Sequence, residues 1–197
     1  MIKTAFALLA VVLLTACGNP EEKALTRYEA EMANALTTSQ VTTDIFLGLQ
    51  LGMTDQQFYD RCTELNKQRL ITMGSGGNRV NYEMKDALSR PAILSFYPTF
   101  SDTRPRIVDA MDVEVKFVDW SPWNKDAHAP NLMTDMLAWC RRKFGEDVYV
   151  IPHPKVKKMI VQVKDNRRVM FWIKDSEVVR GRITDLRKLP EETLALQ

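Results

Sequence analysis

Met111-Asp112-Val113-Glu114-Val115-Lys116-Phe117-Val118-Asp119-Trp120 alternates in character: Met111, Val113, Val115 and Phe117 fall on one side of an extended chain, and Asp112, Glu114 and Lys116 on the other. A period of two over this length predicts a β-strand with one buried face, as in an antiparallel sheet covered on one side. Something apolar must cover that face. The candidate lies upstream, where Thr54 and Gln57 have the spacing of a capping box. The helix they open should run to about Arg69, with Phe58, Cys62 and Leu65 on one face. Between helix and strand, Gly74-Ser75-Gly76-Gly77-Asn78 reads as a loop, and residues 79–84 and 92–97 have the β-branched, aromatic and apolar content of strands.

The same order then recurs downstream. Pro130-Asn131 precedes an apolar helix from Leu132 to Phe144 that shows Leu132, Met133, Met136, Leu137 and Cys140 on one side, and Gly145 supplies its stop. Four strands follow, at 148–151, 159–163, 169–173 and 178–183, joined by Asp165-Asn166, Asp175-Ser176 and other short turns into a meander. Met53-Thr54-Asp55 also reappears as Met133-Thr134-Asp135, each near the start of its helix. These observations predict an α+β fold of two helix-then-antiparallel-strand units, residues 46–125 and 126–197. Their strands should form one sheet with both helices on one face. A separate N-terminal helix is expected over 21–36, where Leu25, Tyr28, Met32 and Leu36 recur at helical spacing, and 37–43 reads as a linker.

At the N-terminus, Lys3 precedes the apolar run Ala5 to Leu14, which suits the core of a signal peptide and is too short to span a bilayer. Leu14-Thr15-Ala16-Cys17 closes that run and resembles the lipobox of bacterial lipoproteins. The resemblance implies that residues 1–16 are a signal peptide and that Cys17 is acylated to become the first residue of the mature chain. Two or three acyl chains on one cysteine give stable anchoring. Residues 17–45 would then be a lipid-anchored helix and linker. Gly18 after the cysteine, in place of Asp, implies by the same resemblance the outer membrane of the cell envelope.

A second resemblance rests on Leu51-Gly52-Met53-Thr54 and Gln57, which looks like the helix start in the small outer-membrane lipoproteins of the β-barrel assembly machinery. Duplicated units of similar order occur in the β-lactamase inhibitory protein. These resemblances imply two roles. One is a non-catalytic envelope lipoprotein that binds an envelope protein partner or assists assembly; the other is an inhibitor-like protein that binds an envelope or secreted enzyme.

The composition, 45% apolar and 26% charged with a net charge of only +2, gives no basic stretch of the kind that binds nucleic acid. The cluster Lys155, Lys157 and Lys158 and the pair Arg167 and Arg168 are read as basic hairpin turns, soluble by charge or able to touch anionic lipid. Cys62 and Cys140 remain after Cys17, both on inward helix faces, as a possible disulfide pair or as two small buried hydrophobes. His128 and His153 have no metal-ligand neighbours in sequence, no nucleophile motif occurs, and Asp109 and Asp112 are read as solvated charges. No cofactor, metal or catalytic residue is expected. The candidate partner-binding residues are Trp120 and Trp123, in Trp120-Ser121-Pro122-Trp123, and Trp172, which shares a strand face with Met170 opposite Val169, Phe171 and Ile173. Tryptophan is enriched in binding hot spots, and an apolar outer sheet face would be a docking surface.

Overall fold

Thr54 opens a helix as its spacing requires. In the computed structural model, which describes residues 19–74 and 79–189, its hydroxyl accepts from the Gln57 N–H while the Gln57 side chain accepts from the Thr54 N–H. The expected signal peptide and Cys17 lie outside the described residues. Among the described residues three α-helices are formed, α1 (Pro20–Ala35), α2 (Asp55–Lys67) and α3 (Ala129–Phe144), with a short 3-10 turn at Lys125–Ala127 before α3. The eight strands are β1 (Ile71–Met73), β2 (Val80–Met84), β3 (Ala92–Phe100), β4 (Val108–Phe117), β5 (Tyr149–His153), β6 (Lys157–Lys164), β7 (Arg167–Ile173) and β8 (Val179–Asp185). Each helix end has a local cause. Asn19 caps α1 and Pro20 sits in its first turn, while α3 ends on Arg141, Arg142 and Lys143 before Gly145, whose φ of 105° suits a residue without Cβ.

The strands form one antiparallel sheet in the order β1-β2-β3-β4-β8-β7-β6-β5. Exchanging each strand of the first unit for its counterpart in the second reverses this order and leaves it unchanged. The two units are therefore related by an approximate two-fold through the central β4–β8 pair. The order of elements carries this duplication, and the Met-Thr-Asp echo does not. Thr54 is the N-cap of α2, whereas Thr134 lies inside α3, whose N-cap is His128. The sequence also missed β1, only three residues long, which pairs with β2.

One sheet face holds Leu94 and Phe96 of β3, Val113 and Val115 of β4, Ile183 of β8 and Phe171 of β7, all packed into one core with Phe58 and Leu65 of α2 and Leu132, Met136 and Cys140 of α3. Both unit helices lie on this face. Full burial of each such side chain stabilises by roughly 1.5–3 kcal/mol relative to exposure. The segment before α2 contributes Ile45, Phe46, Leu49 and Leu51 to the same core, with Phe46 edge-on to Phe96 at 5.2 Å.

The other face is divided. Over β5, β6 and β7, Ile151, Met159, Val161, Met170 and Trp172 form a second apolar cluster, which α1 covers with Tyr28, flanked by Ala24, Leu25 and Met32. Over β2, β3, β4 and β8 the same face is polar and carries ion pairs. The linker after α1 is docked against the β6–β7 turn, where the Thr42 N–H donates to Asn166 Oδ1 at 2.7 Å and the Thr42 hydroxyl to Asp165 at 2.5 Å.

Candidate functional site

Three surface features have enough shape or exposure to recognise another molecule: a groove beside α2, the polar half of the outer sheet face, and the exposed Trp123. The first is a groove of about 660 Å³ between α2, β1 and the far end of β3. It exists because β2 pairs with β3 only from Ala92 to Phe96, so β3 runs on through Tyr97, Pro98 and Phe100 without that neighbour. Pro98 suits such an edge, having no N–H to offer a ladder. Phe58, Tyr59 and Phe100 form an aromatic wall, with centroids 5.6 Å apart for Phe58–Tyr59 and 5.8 Å for Phe58–Phe100. Arg106 stands over the Phe100 ring at 5.1 Å. Tyr59 is 53% exposed and Met73, on the opposite rim, 78%.

Cys62 lines this groove and is half-buried. Burial pushes its thiol up to about 11, against a smaller opposing effect of Arg61, so at neutral pH it is protonated and a poor nucleophile. Cys140, beneath α3, is fully buried and raised further by desolvation. Both cysteines are free thiols, so the pairing allowed by the sequence is not formed in this structure. They sit on different helices, α2 and α3, and serve as small apolar side chains in and beside the core.

The second feature is the polar half of the outer face. Asp112 lies beneath Arg182, with which it hydrogen-bonds, and 3.8 Å from Arg180. Glu114 accepts from Arg79 at 2.5 Å and Lys174 at 3.0 Å. Burial alone would raise the Glu114 carboxyl, but these two cations outweigh it and hold the group below its ordinary range. Asp109 and Asp112 are buried, at 7% and 5% exposure, which corrects their reading as solvated charges. Asp109 is raised, first by desolvation, and its Oδ1 has no hydrogen-bond partner.

The basic pair Arg167 and Arg168 is likewise not a surface turn. Arg167 is buried, its guanidinium bonded to Asp44 and Gln162 and 4.9 Å from the Phe144 ring centroid. Arg168 is buried beside the Tyr28 hydroxyl beneath α1. Turn position misled the reading, because the linker and α1 close over both residues. Lys155, Lys157 and Lys158 are exposed, as expected.

The three tryptophans part company. Trp120 folds back, donating from Nε1 to the Ser176 carbonyl at 3.2 Å and lying 6.0 Å from the His128 ring. Trp123 is 88% exposed. Trp172 does lie on the outer apolar face, but that face has an occupant within the chain, α1, which leaves the indole 7% exposed. His128 bonds the Ser121 carbonyl, and His153 is buried with Nδ1 accepting from the Lys155 N–H at 3.2 Å. Among the described residues, no group of three or more His, Cys, Asp or Glu side chains is placed to hold a metal ion, and no helix is long and apolar enough to cross a membrane. The groove escaped the sequence because it arises from unequal strand lengths.

Comparison with known proteins returned no matching family model, no matching curated protein and no matching solved structure.

Proposed function

We propose that this chain is a non-catalytic cell-envelope lipoprotein, held to the outer membrane through acyl chains on Cys17, whose body is a binding or assembly-accessory module for an envelope protein. The observation that carries the binding role is the groove beside α2. It is apolar and aromatic, bordered by a segment of β3 whose β2-side edge is open, and it leaves Tyr59 and Met73 exposed. A partner that lays an apolar side chain against Phe58, Tyr59 and Phe100 would bury surface now in contact with water. The anchoring role is supported by the lipobox and by α1, which begins three residues after Cys17 and packs onto the body, keeping the body close to the anchor.

The inhibitor-like alternative relies on a concave face of the duplicated sheet, for which the face opposite α2 and α3 is the candidate. Since α1 covers the β5–β7 half, only the charged half around Asp112 and Arg182 remains for it, and the groove reading is preferred.

A photo-crosslinker at Met73 in intact cells tests the binding role. A discrete adduct that is lost on Tyr59→Ala supports it; no adduct, or one indifferent to Tyr59, overturns it. Fractionation of Cys17→Ala tests the anchor, which predicts release from the membrane, and retention of that variant overturns it.

A further inference from the structure

One end of the sheet gathers the finish of β4, the β7–β8 turn, the β5–β6 hairpin and the start of α1. The register establishes this: Val115 pairs with Val179, Val179 with Ile173, Trp172 with Met159, and Lys157 with His153. α1 runs away from that end. Glu21 in its first turn reaches Lys158 at 3.2 Å, whereas Glu31, further on, meets the hydroxyl of Tyr149 at the opposite end of β5. Cys17 lies two residues before Asn19, the cap of α1. Two peptide units span at most about 7 Å. Whatever Cys17 carries is delivered to this end of the sheet.

The same end carries two exposed features that the groove does not use. One is the hairpin with Lys155, Lys157 and Lys158. The other is Trp123, 88% exposed on a loop that is otherwise pinned. Asn124 donates to the carbonyl of Asp119 at 3.1 Å, His128 meets Ser121 at 3.2 Å, and the Trp120 indole is tied to Ser176. The backbone is fixed and the Trp123 indole stands out from it. Three strand spacings, roughly 14 Å, separate β6 from β4, so the hairpin and the Trp loop can meet one flat surface together. Most acids at this end are engaged: Glu21 with Lys158, Asp119 and Asp126 with Arg90, Glu177 with Lys116, and Asp175 with the backbone N–H groups of Glu177 and Val178, while Glu22 is exposed.

We propose that this end of the sheet rests on the bilayer in which Cys17 is anchored, with Trp123 entering the headgroup–acyl boundary and the hairpin lysines Lys155 and Lys157 meeting anionic headgroups. An indole, apolar with one N–H, suits that boundary, and lysines near an anionic surface add attraction. The groove beside α2, open toward the other end of β3, is then held away from the lipid and free for a partner. This inference rests on the lipoprotein reading of Cys17.

The test is tryptophan quenching by lipids with brominated acyl chains, in vesicles with and without phosphatidylglycerol. Full-length protein processed by cells is reconstituted as wild type, Trp123→Ala and Lys155→Glu/Lys157→Glu, and its N-terminal mass reports separately whether Cys17 is acylated. The expected result is quenching in the wild type that phosphatidylglycerol strengthens, that the lysine variant weakens, and that Trp123→Ala loses for the most part. Absent quenching in vesicle-bound protein, or quenching unchanged in Trp123→Ala, overturns the proposal. An unacylated N-terminus overturns the lipoprotein reading alone. The tether is then supplied by coupling Cys17 to a maleimide lipid in a Cys62→Ser background, Cys140 being fully buried, and the quenching arm is read as before.

Discussion

Replacing Gly181 with alanine should destabilise the protein, although strand propensity argues the reverse. Gly181 faces Phe171 across the β7–β8 pair, and a Cβ there would stand 2.3 Å from both Cδ1 and Cε1 of that ring and 2.9 Å from the Met170 carbonyl oxygen. Carbon–carbon contact wants about 3.5–4.0 Å, so the ring must withdraw by more than about 1 Å. It has little room, being fully buried with Trp139 edge-on at 6.4 Å. Overpacking of this kind costs roughly 1–3 kcal/mol. Alanine in place of a strand glycine returns roughly 0.5–1 kcal/mol. The net expectation is a loss of about 1–2 kcal/mol, which for a chain of this size lowers Tm by roughly 2–8 °C. Thermal and urea denaturation followed by circular dichroism give the value. The same substitution made in a Phe171→Leu background should reverse sign, because the ring is gone and the propensity gain remains. A G181A protein as stable as the wild type would refute the close-approach argument.

Tyr28→Ala should cost about 3 kcal/mol by opening the seat of α1, and Trp172, now 7% exposed, should shift its emission to the red. In a Cys17→Ala chain, Cys62 should alkylate at pH 8 about a hundredfold more slowly than an ordinary thiol, and its rate should still be climbing past pH 10, as a thiol near 11 requires. Because Arg79 and Lys174 hold Glu114 below its unfolded range, its contribution to stability is complete above about pH 4.3 and is lost as pH falls through the depressed folded value. Glu114→Gln should therefore lower stability at neutral pH, with the difference from wild type shrinking in urea titrations toward the acid end.

The sheet and its two covering helices were legible because their signals are local. Thr54 and Gln57 are three residues apart, and the alternation from Met111 to Phe117 needs no knowledge of its neighbours. The seat of α1 was not legible, although both halves of the signal were present. Met170 and Trp172 declared a second apolar face, and Leu25, Tyr28 and Met32 an apolar helix stripe. Nothing local joins surfaces more than a hundred positions apart, so the free face looked like a place for a foreign partner. Arg167, Arg168 and Asp112 were misread for a related reason. Charge predicts exposure unless a partner is brought in from afar, and here Asp44, the Tyr28 hydroxyl and Arg182 are brought in by tertiary structure.

The central β4–β8 joint has a consequence for how the chain comes to be. Each unit is a run of neighbouring hairpins that closes short loops, while the joint pairs residues 110–115 with 179–184 and must wait for the last strand. Until β8 arrives, β4 presents a ten-residue edge rich in valine, the kind of edge that recruits other chains. α1 waits as well, since its seat on β5, β6 and β7 belongs to the second unit. The first helix among the described residues is thus satisfied only after the second unit has formed. A chain cut short before β5 would carry two sticky surfaces at once, the β4 edge and the apolar stripe of α1; the second is covered when β5, β6 and β7 form and the first only when β8 pairs with β4.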